Sequence, residues 1–139
     1  MYRIAEGSLT LASEWQDQSI NVLLPMDAKV QGANLVIGRD RLPLGVTFRD
    51  YVAQMRQNFM TQLTGCEIFA DTAGQVDGRE AQLMELGWRS DGKPIHQVMA
   101  IVLCEANAVL TFTGSIPGGR DEETRNALIS AITSFTFAP

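Results

Sequence analysis

Between Thr47 and Leu63 the apolar residues Phe48, Tyr51, Val52, Met55, Phe59 and Leu63 return at intervals of one to four residues, with Arg49, Asp50, Arg56 and Gln57 set between them. That spacing places the apolar set on one stripe of an α-helix and turns the charged set away from it. Thr47 followed by Asp50 is a capping-box pattern at the start, and Gly65 stops the helix. A second helix is predicted from about Asp121. The carboxylates of Asp121, Glu122 and Glu123 suit the positive end of a helix dipole, and Leu128, Ala131, Ile132 and Phe135 form its expected buried stripe.

Most of the remaining chain carries the shorter period of strands. Asp77-Gly78 and Asp91-Gly92 are two-residue hairpin signals. They predict strands over Cys66–Val76, Arg79–Arg89 and Pro94–Glu105, and a turn at Ala106-Asn107 leads into a fourth over Ala108–Ile116. Ahead of the first helix, Ser19–Leu24 and Asn34–Arg39 read as two more strands, with Tyr2–Ala5 as a third. Strands, helix, four-stranded meander and helix make an α+β fold: a mostly antiparallel, curved sheet with two amphipathic helices, in one domain over residues 1–139.

The strand from Pro94 is apolar on both faces, with Val98, Ala100, Val102 and Cys104 on one side and Met99, Ile101 and Leu103 on the other. A strand of this kind has cover on both faces. Two helices on one face would leave the other to a second subunit or a ligand.

Composition narrows the function. Of 139 residues, 45% are hydrophobic and 19% charged, which is ordinary for a globular chain. Eleven basic residues against sixteen acidic ones give a net charge of −5, which argues against nucleic acid or an anionic membrane as partner. Two cysteines and one histidine leave little for a disulfide framework, a metal site or a cofactor, and none is expected. The N-terminus lacks an apolar signal region, and the longest apolar run, Val98–Cys104, is far short of the ~20 residues of a membrane span. A reducing cytoplasm and no direct membrane insertion are the expectation.

Candidate chemistry is sparse. Gly87–Lys93 follows most of a phosphate-binding loop, but Pro94 stands where Ser or Thr is required, and the segment reads as a hairpin. Gly114–Gly119 lacks the order of a nucleophile elbow and reads as a loop before the second helix. His96 has no Ser or Cys that the sequence places beside it and reads as a half-buried strand histidine; Cys66 and Cys104 read as packed thiols. No enzyme activity is expected.

One patch remains. Ile20 and Val22 point the same way on their strand, as do Asn34, Val36 and Gly38 on theirs, and Gln97 and Met99 share a face of the later strand. Met55 and Phe59 of the first helix border them. Small, β-branched, amide and methionine side chains together make a groove suited to an apolar helix, because methionine adapts to varied surfaces and small residues allow close helix approach.

Trp15-Gln16-Asp17-Gln18-Ser19-Ile20-Asn21, then Val36-Ile37-Gly38-Arg39-Asp40, then Phe48 and Asp50-Tyr51-Val52 resemble the Eag-type chaperones of type VI secretion, within the DcrB-like group. The resemblance covers nearly the whole chain in length and element order. It implies a homodimer that cradles the N-terminal transmembrane segments of a secreted Rhs- or PAAR-type effector before loading on the secretion spike. It also implies that Ile20, Val22, Asn34, Gly38, Met55 and Gln97 grip the helix. The alternative is a DcrB-like soluble module that binds an unrelated protein or small ligand.

Overall fold

The computed structural model describes residues 1–27 and 29–139. Its elements in chain order are β1 (Tyr2–Ile4), β2 (Gly7–Leu9), β3 (Asn21–Leu23), β4 (Asn34–Arg41), α1 (Phe48–Gln62), β5 (Glu67–Val76), β6 (Arg79–Ser90), β7 (Lys93–Leu103), β8 (Ala108–Pro117) and α2 (Glu122–Thr133). β1 and β2 form a small hairpin, and the other strands form one open sheet in the order β3-β4-β8-β7-β6-β5. Its neighbouring strands run antiparallel. The fold is α+β.

Local chemistry explains the meander. Asp77 and Gly78, and likewise Asp91 and Gly92, all have positive φ, as the tight hairpin turn with a matching twist requires. Ala106 and Asn107 share this conformation and reverse the chain between β7 and β8. The Thr47 hydroxyl accepts from the Asp50 amide and caps α1; Asp121 does the same for α2 through the Thr124 amide.

The helices do not share a face. α2 sets Leu128 and Ile132 against Val98, Ala100, Val102 and Phe112, whereas α1 sets Phe48 and Val52 against Met84, Leu86, Met99 and Ile101. The expectation that both helices cover one side is therefore corrected: the two-sided apolar strand β7 is sandwiched between them. Gly114 lies where α2 comes closest, since a Cβ there would stand 3.0 Å from Leu128 Cδ1 and from Val98 Cγ2.

Smaller corrections follow from the same geometry. Ala131 is exposed and Phe135 lies past the end of α2, though it packs on the core as expected, edge-on to Phe112, while Thr124 takes a buried place in the stripe. Gly114–Pro117 belongs to β8, so only Gly118 and Gly119 remain of the glycine-bearing loop. Arg56, expected to point away, reaches back to the Asp71 carboxylate, which also receives Gln82. β2 has no counterpart among the strands the sequence predicts, and the strand around Val22 is only three residues long.

Candidate functional site

The α1 face of the sheet is only partly covered. α1 runs beside β6: its first turns share a depression with Ala81 and Gln82, and at its far end the Arg89 amide donates to the Thr64 carbonyl at 2.8 Å. α1 reaches β4 and β8 at one end, through the Tyr51–Asp40 bond and the cluster that holds Val109, whereas among the described residues Val22 and Val36 of the same face belong to neither buried cluster. The strand register aligns one row of side chains across it, Val22–Val36–Thr113–Met99–Met84. Exposure falls along this row, from 60% at Val22 to 7% at Met99 and 3% at Met84. The gradient marks where the cover of α1 ends.

Two further rows flank it: Asn34–Ser115–Gln97–Leu86 and Gly38–Thr111–Ile101–Gln82. Gln97 is held from both sides. The Trp88 indole N–H donates to its Oε1 at 3.1 Å, and its amide N–H donates to Ser115 Oγ at 2.9 Å. Trp88 has only a donor, so it fixes which end of the amide faces which partner. Gly38 has no atom within 4 Å of the position a Cβ would take, so the floor is open there.

Among the residues expected at the site, Val22, Asn34, Val36, Gly38, Gln97 and Met99 thus share one face. Met55 and Phe59 are half-buried on α1 and pack on the cluster that holds Met99. Ile20 lies just outside β3 and is 63% exposed. At one end the Tyr51 hydroxyl donates to Asp40 at 2.8 Å and ties α1 to β4. Burial, then this bond, push the Tyr51 phenol well above its ordinary range.

The sequence reading missed Thr111, Thr113, Ser115 and Trp88. The first three give the surface a hydroxyl stripe, and their signal was present: Leu110, Phe112, Gly114 and Ile116 alternate with them along β8. Hydroxyls and amides beside exposed valines offer both apolar contact and hydrogen bonds to an incoming helix.

A second polar cluster sits on the opposite face. His96 Nε2 is 2.5 Å from Glu85 Oε2, and Arg125 of α2 donates to both Glu85 oxygens at 2.6 and 2.8 Å. His96 is buried rather than half-buried, at 4% exposure. The Arg125 hydrogen bonds, with help from His96, hold the Glu85 carboxyl down to about 2 against the opposing effect of burial. Cys66 and Cys104 are free thiols, and burial raises the pKa of each. Among the described residues no group of three metal-ligating side chains occurs, and no helix is long and apolar enough to cross a membrane.

The sequence signature of the DcrB family matches residues 6–134. A Pseudomonas aeruginosa protein named effector EagT6 is 33% identical over 96 residues, which are 68% of this chain and 67% of that one. The crystal structure of PA94, a protein of unknown function from the same species, superimposes with a TM-score of 0.79 at 27% identity, covering 99% of this chain and 96% of that one. In sequence, element order and sheet architecture the chain belongs to the DcrB family, among its Eag-type members.

Proposed function

We propose that the chain is a chaperone and adaptor of a type VI secretion effector. As a cytoplasmic homodimer it holds the apolar N-terminal transmembrane helices of an Rhs- or PAAR-type effector on the uncovered half of its α1 face until loading on the secretion spike. The observation that carries this reading is the row Val22–Val36–Thr113–Met99, a strip that grades from exposed Val22 to buried Met99, where Met55 and Phe59 of α1 pack on the same cluster. Kinship to effector EagT6 supports the same direction.

The physical need is clear. A helix of ~20 apolar residues cannot stay in water without cover. One protomer offers a single strip, and a dimer doubles it. The Gln97 amide and the hydroxyls of Thr113 and Ser115 meet polar groups in such a helix, which in a bilayer would bond to other helices. The net charge of −5 keeps the loaded complex off anionic lipid. This is binding, not turnover.

The test is affinity purification of the tagged chain from its own cells, beside the double variant Ile20→Asp with Val22→Asp. Both side chains are exposed, so the variant folds. A co-purifying protein whose sequence carries apolar N-terminal segments, lost at least about tenfold in the variant, is the expected result; tenfold corresponds to about 1.4 kcal/mol. Full retention by the folded variant overturns the assignment.

A further inference from the structure

On the α2 face, where β5, β6 and β7 end, lies a cavity of about 340 Å³ lined by Glu67, Phe69, Gly87, Arg89, His96 and Arg120 among others. The register of β5 against β6 shifts between Ile68 and Ala70, leaving Phe69 unpaired in a bulge. Such bulges redirect a side chain. Here the ring lies over Gly87, where a Cβ would approach Phe69 Cε2 to 3.0 Å, and it stacks on His96 with centroids 5.7 Å apart.

The imidazole behind it is aimed by its partners. The Glu85 carboxylate can only accept, so His96 Nε2 carries the hydrogen between them. Among the described residues Nδ1 has no hydrogen-bond partner. Among the described residues, no side-chain nitrogen or oxygen is both closed to water and unpaired, so Nδ1 keeps an opening, and the cavity is the opening that His96 lines.

Charge then decides what fits. Glu67 of β5, Glu85 of β6 and Glu122 of α2 stand against Arg89 of β6, Arg120 before α2 and Arg125 of α2. With neutral imidazole these six cancel, and a second proton on His96 leaves one positive charge. We propose that this cavity is a proton-linked binding site for a small monocarboxylate that bears a flat apolar group. The carboxylate accepts from Nδ1–H and from an arginine at the rim, while the apolar group lies against Phe69. The site is on the face opposite the proposed client strip and is independent of it.

His96 is the only histidine, so its imidazole ¹⁵N resonances report on the site without ambiguity. The full chain is titrated with benzoate at pH 5.5 and pH 8, and with benzamide as the neutral isostere. The expected result is a saturable Nδ1 shift with benzoate, a raised His96 pKa at saturation, and affinity about tenfold tighter at low pH for each unit of that rise. Arg89→Ala with Arg120→Ala weakens benzoate at least about tenfold. Should that variant fail to fold, Phe69→Ala, at a ring 57% exposed, makes the same comparison. A shift that never saturates, equal binding of benzamide and benzoate, or unchanged affinity in the variants overturns the proposal.

Discussion

Glu85 accepts from side chains of two different elements, Arg125 on α2 and His96 on β7, and is itself buried. Its carboxyl is held at about 2 in the folded chain against an ordinary 4.5. A depressed acid stabilises the fold fully above its unfolded pKa, and that contribution disappears as pH falls through the folded one. The contribution is on the order of 3 kcal/mol. Urea unfolding at pH 7, 4 and 2.5 is expected to show a fall in stability between pH 4.5 and 2 that Glu85→Gln reduces, the variant being already weaker at pH 7. Equal pH dependence in both proteins would refute this role. Part of the cluster was legible. A two-residue turn at Asp91-Gly92 pairs Ser90 with Lys93 and, counting outward, Gly87 with His96 and Glu85 with Val98, which sets Glu85 diagonally across from His96. Arg125 was not legible, because its approach depends on which face α2 takes.

That choice of face is the point at which pattern reading stops. Caps and turns are local chemistry, so Thr47, Asp121 and both Asp-Gly pairs mark their elements at the right places. β7 is apolar on both sides, and this pattern is the same whether two helices share a face or divide the faces. The chain divides them, and Gly114 shows the consequence for α2: the missing side chain lets Leu128 lie directly on the strand. The site is crowded from two directions, by Leu128 Cβ at 3.1 Å and Val98 Cγ2 at 3.0 Å from the position of an added carbon. Gly114→Val is therefore expected to cost about 1–3 kcal/mol by overpacking, read as a lower urea midpoint with unchanged slope. A variant as stable as the parent would mean that α2 rides over the sheet without this contact. β2 escaped notice for another reason, since Gly7-Ser8-Leu9 is too short to alternate.

At the scale of the whole molecule, the two faces of one sheet carry different loads. The α2 face carries the larger buried cluster and the Glu85–His96–Arg125 contacts, with a cavity at one end. The α1 face is partly occupied, because one helix of fifteen residues lies over the β6 side, meets β4 and β8 at the end that holds Asp40 and Val109, and leaves Val22 exposed at the outer side. Strand patterns alone do not separate an uncovered face from an ordinary solvent face; the separation comes from the exposed Val22 and Ile20 at its outer side. Gly38 sits in this strip with open space above it and an ordinary backbone, so it tolerates a large side chain without strain. Gly38→Trp is thus expected to leave the unfolding temperature within about 2 °C of the parent, as surface substitutions do. The same indole would stand where a client helix must approach Thr111 and Val36, and capture of the client should fall at least about tenfold. Gly114→Val supplies the opposite pattern, lost stability with the strip intact. If Gly38→Trp keeps both its stability and its client, the helix binds elsewhere on the molecule, and the uncovered half of the α1 face has some other occupant.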